Sequence, residues 1–393
     1  MKIIIPGGCG GMGRFLVAAV VKFQALEAIA IADINESSAR KFAEKFDNRV
    51  TGVGLDVSDS VVMSEVFKEF DVVLNMTGPF FLYGKPVLEA AIQSGCHYMD
   101  ICDDWEPTEE MLKLDGVAKA NGLTAIVGLG ASPGLTNILA LIAMSRLDSV
   151  HRIYTGWDMN AASPEEQSSQ TGANAAMVHA VEQMIGEVKI YRDNRFEMVR
   201  PLEKILTGYP GVENSWANIF GHPEAITFPH HYPQIRESVN LCHGMEDSLS
   251  VLKLLRFVVE WKLISRARAA KILDWLEVNA FNNSEDPSGE LPPVYGLAIG
   301  EINGKSASVG CALVSDPLQK TSMGEATAYP LACGLKMFIE GGIDRRGVFA
   351  PECGAIDPFI FLDHFFRLIL ELPEEQSFEV SEMIEIRDSR DLL

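Results

Sequence analysis

The first 33 residues constrain the fold most, because they set a glycine-rich turn between an apolar strand and a helix. Residues 2–6 read Lys-Ile-Ile-Ile-Pro, the turn runs from Gly8 to Gly13, and a second apolar strand ends at Asp33. In such a turn Gly8 permits the tight bend and Gly10 leaves room for a group beside the backbone. Gly13 lets the helix pack closely on the strand.

This turn and the acid at the end of the second strand predict a dinucleotide-binding site. The backbone amides of Gly10, Gly11 and Met12 would face a pyrophosphate at the helix N-terminus, and Asp33 would accept the ribose hydroxyls. Because glycines also mark ordinary turns, the alternative is a glycine-rich loop without a ligand. A carboxylate repels a 2′-phosphate and the next basic residue is Arg40, so we expect NAD rather than NADP.

Length, charge and cysteine use narrow the class of protein. A chain of 393 residues favours two domains, and its net charge of −21 would repel a nucleic acid. The most lipid-like stretch, residues 251–261, is interrupted by charges, so we expect a core-facing helix there and no membrane partner. The seven cysteines form no CxxC pair, which indicates a reducing cytoplasm.

Alternating strands and helices predict an α/β protein with a doubly wound parallel sheet in the first part of the chain. The six expected strands are residues 2–6, 29–33, 50–55, 71–75, 97–101 and 124–127. After residue 147 the pattern changes, and the Asn303-Gly304 pair between two apolar runs predicts a β-hairpin. We therefore expect a second, α+β domain with a mostly antiparallel sheet.

Candidate catalytic side chains follow or flank the fourth and fifth strands, whose carboxyl ends would face a nicotinamide. They are Tyr83, Lys85, His97 and Asp100. Burial would shift the pKa of Lys85 down and that of Asp100 up, toward the range that proton transfer needs. The structural alternatives are a solvated Lys85 and a His97 that binds a neighbouring carbonyl. Two further acids, Asp103 and Asp104, either face an amine or cap the next helix.

Other segments at the same edge would complete the cofactor site. Thr77, Gly78, Pro79 and Ser132 would hold the ribose and the nicotinamide amide, while Asp56 and Val57 would flank an adenine. The segment of residues 56–59 also suits a helix cap, and both roles fit at once. In the second domain, residues 229–233 contain two adjacent histidines, which on an extended segment would point apart, so we expect no metal site.

Several motifs resemble those of the saccharopine dehydrogenase-like family. They lie at residues 75–80, 83–87, 95–100 and 130–137, with weaker similarity at 221–227 and 347–352. The resemblance implies a Rossmann domain over 1–146, to which 325–375 returns, and an α+β domain over 147–324 that often forms a homodimer. Ser132 departs from the family pattern, in which several members have Asp, and Asp103-Asp104 replaces a common Gly-Glu.

The family chemistry is hydride transfer between a nicotinamide and a carbon bearing an amine or imine. We therefore expect an NAD-dependent oxidoreductase acting on a C–N bond of an amino acid or related amine. One alternative is the reductive condensation of an aldehyde with an amine. Another is a non-catalytic NAD-binding sensor or assembly protein.

Overall fold

A computed structural model describes residues 1–159, 181–244, 246–279, 291–313, 321–370 and 379–387. Its strands are β1 (Lys2–Pro6), β2 (Ala28–Asp33), β3 (Val50–Gly54), β4 (Val72–Asn75), β5 (His97–Asp100), β6 (Thr124–Ile126), β7 (Ser149–Asp158), β8 (Val188–Arg192), β9 (Arg195–Val199), β10 (Lys204–Leu206), β11 (Trp216–Phe220), β12 (Glu237–His243), β13 (Val294–Ile302), β14 (Lys305–Leu313), β15 (Gly347–Phe349) and β16 (Val380–Arg387).

The helices of the described residues are α1 (Gly13–Val20), α2 (Glu36–Ala43), α3 (Ser60–Phe67), α4 (Phe80–Gln93), α5 (Trp105–Leu112), α6 (Asp115–Ala120), α7 (Leu135–Ser145), α8 (Glu224–His231), α9 (Glu246–Glu260), α10 (Arg266–Asn279), α11 (Met323–Ile339) and α12 (Pro358–Leu370). The chain divides into two compact units, Met1–Gly134 with Met323–Gln376 and Leu135–Ser322 with Ser377–Leu393.

The first unit contains the predicted doubly wound parallel sheet. Its strand order is β15-β6-β5-β4-β1-β2-β3, and every pair is parallel. The strands are apolar because helices cover both faces of such a sheet; Ile3, Ile4 and Ile5 of β1 are fully buried. The strand order reverses direction between β1 and β4, which places a ligand crevice at the carboxyl ends of these two strands.

The second unit contains the predicted mostly antiparallel sheet. It has nine strands, with β10-β11-β12-β7-β13-β14-β16 as the main path and β8 and β9 beside β12. The pair β7–β12 is parallel and the others are antiparallel. Asn303 and Gly304 form the expected hairpin turn, both with positive φ.

The structure differs from the sequence-based boundaries where packing overrides local pattern. The first unit ends its N-terminal segment at Gly134 rather than at residue 146, because α7 packs on β7, β13 and β14 of the second unit. Helix α4 begins at Phe80, not at residue 85, and the helix expected over 107–120 is split into α5 and α6. The short β15 adds a seventh strand beside β6.

Within the described residues, no helix is both long enough and apolar enough to span a bilayer.

Candidate functional site

The glycine-rich turn leaves β1 at Gly7, which has a φ of +74°. A Cβ there would lie 2.7 Å from the carbonyl carbon of Met76, so no other residue fits. The sequence-based assignment of the tight bend to Gly8 is therefore wrong, since Gly7 has the left-handed conformation. The Gly8 amide closes the bend by donating to the Ile5 carbonyl at 3.1 Å.

The two later glycines of the turn have different surroundings. A Cβ on Gly13 would lie 2.2 Å from the Gly7 carbonyl oxygen, so α1 can begin only with glycine packed against the turn. A Cβ on Gly10 would meet only that same oxygen, at 3.1 Å. Gly10 and Gly11 are exposed, and Met12 provides no side-chain cap for α1. The amides of Gly10, Arg14 and Phe15 already donate to the carbonyls of Gly7, Gly10 and Met12, at 3.0, 3.1 and 3.1 Å. Within the described residues no such partner is found for the amides of Gly11, Met12 and Gly13, which are left for an external acceptor.

Asp33 ends β2 next to this turn. Its Oδ1 accepts a hydrogen bond from the Asn35 amide at 3.0 Å, and the following Ile34 is exposed. Burial, with the Asp33 carboxylate nearby, raises the pKa of the Cys9 thiol to about 11, so the turn carries no thiolate at neutral pH. The Arg40 guanidinium binds Glu36, one helical turn earlier, at 2.5 Å.

Asp56 and Val57 follow β3. The Asp56 carboxylate accepts hydrogen bonds from the Ser58 amide at 2.9 Å and hydroxyl at 2.7 Å, and these bonds lower its pKa. The residue that caps α3 is Asp59, which accepts from the amides of residues 61 and 62. Asp56 therefore shapes the loop after β3, and the helix cap expected from residues 56–59 is confirmed, with Asp59 as the capping residue.

Thr77, Gly78 and Pro79 follow β4 at the carboxyl edge of the sheet. The Thr77 amide donates to the Asn75 side-chain oxygen at 3.0 Å, which fixes the turn. The Thr77 hydroxyl is buried, and no protein group hydrogen-bonds it. A Cβ on Gly78 would meet nothing within 4 Å. A buried hydroxyl without a protein partner beside open space fits a polar ligand atom at this edge.

A buried chain of hydrogen bonds runs from this turn into the sheet. Asn75 Nδ2 donates to the Tyr98 hydroxyl at 3.1 Å, and that hydroxyl donates to Asp100 Oδ2 at 2.7 Å. Asp100 Oδ1 accepts from the amides of Gly128 at 2.7 Å and Cys102 at 3.1 Å. The three side chains of this chain are fully buried. They tie together the segments that follow β4, β5 and β6.

Asp100 is fully buried and accepts hydrogen bonds from three protein donors, so the structure places it as a positioning residue, and the catalytic role expected from the sequence stays a prediction. Burial raises its pKa to about 6, although the three donated hydrogen bonds oppose the shift. A carboxylate with no exposed surface cannot take a proton from a substrate without the surrounding structure opening.

Tyr83 and Lys85 lie on α4. Lys85 is 39% exposed, and its Nζ lies 3.6 Å from Glu89 Oε1 and 3.9 Å from Glu110 Oε2. The expected burial of Lys85 against a cofactor is thus not found, and the residue forms surface ion pairs instead. Tyr83 is half-buried near the start of the same helix.

His97 lies at the opposite edge of the sheet from the candidate site. It is the first residue of β5 and pairs with Val72, whereas Asp100 pairs with Asn75 at the carboxyl edge. Its Nδ1 accepts from the Thr124 amide at 3.0 Å and its ring packs on Phe338. Burial, helped by Arg346, lowers its pKa. The structure therefore places His97 away from the candidate site, and its imidazole accepts a hydrogen bond from an amide instead of binding the carbonyl considered as the structural alternative.

The remaining predicted residues lie in loops at the carboxyl edge. Asp103 is half-buried and Asp104 is buried at the start of α5. Ser132 is half-buried in the loop after β6, which the Gly130 amide closes by donating to the Pro133 carbonyl at 2.8 Å. Of the four catalytic candidates, Tyr83 and Lys85 keep exposed surface on α4, whereas Asp100 is fully buried and His97 lies at the other edge of the sheet.

No cluster of three or more metal-ligating side chains occurs in the part of the chain that the structure describes. The adjacent histidines His230 and His231 end helix α8, so the extended segment expected there is wrong. Their rings lie 4.9 Å apart, centre to centre.

A buried polar cluster in the second unit escaped the sequence analysis. Glu224 of α8 is fully buried, and its Oε1 accepts from the Thr136 hydroxyl at 2.8 Å and from Asn240 Nδ2 at 3.0 Å. The same Asn240 nitrogen lies 3.0 Å from the Thr155 hydroxyl. Thr136 and Glu224 lie in the sequence motifs at 130–137 and 221–227, but nothing in the spacing of these motifs showed that the two side chains meet.

A protein-family model matches the N-terminal segment of the first unit. The model of the saccharopine dehydrogenase NADP-binding domain matches residues 3–126. A lipid droplet localized protein of Caenorhabditis elegans is 27% identical over 33% of this chain and 32% of its own length. A saccharopine dehydrogenase-like oxidoreductase of Rattus norvegicus is 26% identical over 26% of this chain and 28% of its own length. The chain thus spans about a third of the length of these curated relatives.

Solved structures show the same fold. Apo saccharopine dehydrogenase (L-Glu forming) from Saccharomyces cerevisiae matches 98% of this chain and 99% of its own, with a TM-score of 0.58 and 12% identity. Homospermidine synthase from Legionella pneumophila, in complex with NAD, matches 97% and 90%, with a TM-score of 0.56 and 12% identity. The resemblance indicated by the sequence motifs is confirmed for residues 3–126, which match the saccharopine dehydrogenase NADP-binding domain, and the solved structures extend the similarity of fold to the rest of the chain.

Proposed function

We propose that this protein is an NAD-dependent oxidoreductase that acts on a C–N bond of an amino acid or related amine. One observation supports the proposal most: the carboxyl edge combines an open glycine turn with the buried, unbonded hydroxyl of Thr77. A dinucleotide needs both, because its pyrophosphate seeks free amides and its ribose and amide seek hydrogen-bond partners.

Each part of the cofactor has matching residues in the first unit. The amides of Gly11 and Met12 would bind the pyrophosphate, Gly10, whose own amide donates to the Gly7 carbonyl, would leave room for it, and Asp33 would bind the adenosine ribose. Asp56 and Val57 would flank the adenine, while Thr77, Gly78, Pro79 and Ser132 would hold the second ribose and the nicotinamide. When bound, the nicotinamide supplies the group that accepts or donates a hydride.

NAD is the proposed form because Asp33 opposes a 2′-phosphate and Arg40 is already bound by Glu36. The matching family model is described as NADP-binding, whereas the homospermidine synthase structure contains NAD. The charges of Asp33 and of the Arg40–Glu36 pair favour NAD.

An amine substrate suits the acids that follow β5. Asp103 is half-buried there and close enough to Asp100 to raise the pKa of that carboxyl. We assign Asp103 to the substrate ammonium and Tyr83 to proton transfer. The cytoplasmic location and the homodimer stay predictions.

Replacing Gly10 by Val should abolish cofactor binding and leave the protein folded, because the added methyl groups occupy the pyrophosphate space. We expect NADH affinity, measured by nucleotide fluorescence, to fall more than about a hundredfold. The matched control is Gly116→Val on α6, where a Cβ meets nothing within 4 Å. Near-native affinity in Gly10→Val, with an unchanged circular dichroism spectrum, would place the phosphate site elsewhere.

The wild-type protein should bind NAD more tightly than NADP. Asp33→Ser combined with Ile34→Arg should shift the ratio of the two dissociation constants toward NADP by about tenfold or more, since an Arg fork binds the 2′-phosphate. Ile34→Gln alone is the control for the exposed position. Equal or tighter binding of NADP by the wild type, in calorimetric titrations, contradicts the assignment.

The reaction itself is tested by following reduced nicotinamide in both directions. We expect NAD reduction with at least one member of a panel of amino acids and polyamines, no reduction with the matching hydroxy acids, and no signal from Gly10→Val. The reverse assay supplies NADH with aldehyde and amine pairs. Cofactor binding without turnover in either direction would instead identify a sensor or assembly protein.

A further inference from the structure

Strand β16 ends the nine-stranded sheet of the second unit, and among the described residues its only neighbouring strand is β14. The two strands pair without a bulge, from Val380 opposite Leu313 to Arg387 opposite Ser306. On the other side of β16, main-chain N–H and C=O groups alternate along an open edge. Such an edge is a template for another strand unless the protein blunts it.

The other two open edges of this sheet within the described residues are shorter and begin with a basic residue. Strand β10 has three residues and begins with Lys204, and β9 has five and begins with Arg195. Strand β16 has eight residues and contains neither proline nor lysine. Short strands, lysine, proline and bulges are the usual means of preventing edge pairing, so β16 is the least protected of these edges.

Both faces of β16 carry exposed apolar side chains. Ile384 and Ile386 are each 51% exposed and share a face, because side chains alternate along a strand. Met383 is 41% exposed on the opposite face, where it lies beside Gly211. An open edge and exposed apolar side chains on one strand together indicate an interaction surface.

The acids of β16 do not block this surface. The Glu382 carboxylate accepts hydrogen bonds from Nε and Nη2 of Arg146 at 2.5 and 2.8 Å, which neutralises its charge. Glu385 is half-buried on the same face as Met383. Ile384 lies between the two acids, so the exposed centre of the strand is apolar.

We propose that β16 pairs antiparallel with β16 of a second copy, so that a two-fold dimer joins two nine-stranded sheets edge to edge. A two-fold axis brings the same surface of both copies together and leaves neither edge open. Main-chain hydrogen bonds hold such a pair, and the exposed isoleucines are covered by it. The proposal gives the expected homodimer a specific interface, and it does not rest on the proposed reaction.

The sequence of β16 is complementary to itself in this orientation. With the axis at Ile384, that side chain lies opposite the partner's Ile384, and cross-strand pairs of β-branched residues stabilise a sheet. Glu382 and Glu385 then lie opposite the partner's Ile386 and the partner's Met383, so no acid faces another acid. An axis at Glu385 would instead place like charges directly opposite, which is destabilising.

The test is the oligomeric state of the full chain in analytical ultracentrifugation. We expect the wild type to be a dimer at micromolar concentration, and Ile384→Lys to raise its dissociation constant by about tenfold or more, because the added charges face each other across the axis. Ile384→Glu should weaken the dimer in the same way. An equimolar mixture of the two variants should form a heterodimer about tenfold tighter than the dimer of either variant alone, since opposite charges then meet.

A matched control places the same charge at another edge of the same sheet. Leu206 of β10 is 53% exposed, and Leu206→Lys should leave the dimer intact. All variants should keep the wild-type circular dichroism spectrum and the wild-type NADH affinity, because the cofactor residues lie in the first unit.

Four outcomes would overturn the proposal. The first is a monomeric wild type, and the second is folded Ile384 variants that dimerise as tightly as the wild type. The third is a dimer that Leu206→Lys dissociates, which would place the interface at β10. The fourth is a mixture of the two Ile384 variants that associates no more tightly than each alone, since residue 384 would then not face itself. None of these outcomes bears on the cofactor site in the first unit.

Discussion

The first unit depends on one buried carboxylate, that of Asp100. Leaving a charge away from water is costly unless hydrogen bonds replace the lost hydration. Here Tyr98 and the amides of Cys102 and Gly128 supply three such bonds. Through Tyr98 and Asn75 the same network also fixes the turn after β4. One carboxylate therefore holds the ends of three neighbouring strands at the edge where the cofactor is proposed to bind.

This arrangement separates the groups that hold the site from those left for a ligand. Asp100 is enclosed by protein donors, and Gly13 is pressed against the Gly7 carbonyl. By contrast, the Thr77 hydroxyl has no protein partner and Gly10 faces open space. Rigid support beneath an unsatisfied surface is what a site needs to bind a flexible dinucleotide without reorganising.

Local pattern was enough to predict the parallel sheet, because buried strands and glycine turns have short-range signatures. Contacts distant in sequence were not predictable in this way. The sequence suggested a catalytic His97, but β5 places this residue at the amino edge of the sheet. It suggested a catalytic Lys85 as well, but on α4 this side chain lies beside Glu89 and Glu110. The need for glycine at position 7 was not predicted, because the residues that crowd it, Met76 and Thr77, follow β4 and are distant in sequence. The exposure of Ile384 likewise depends on which strand ends the sheet.

In this structure Asp100 is a buried support at the edge of the sheet and not an exposed acid. The pKa of Asp100 rises from an ordinary 3.8 to about 6 in the folded protein, so the folded protein binds this proton more tightly than the unfolded chain does. Relative to Asp100→Asn, the wild type should therefore lose stability as pH rises from about 4 to about 6, by up to about 3 kcal/mol. Urea unfolding of both proteins across this range measures the difference. A difference that is constant with pH, or that favours the wild type as pH rises, would contradict the burial of this carboxylate.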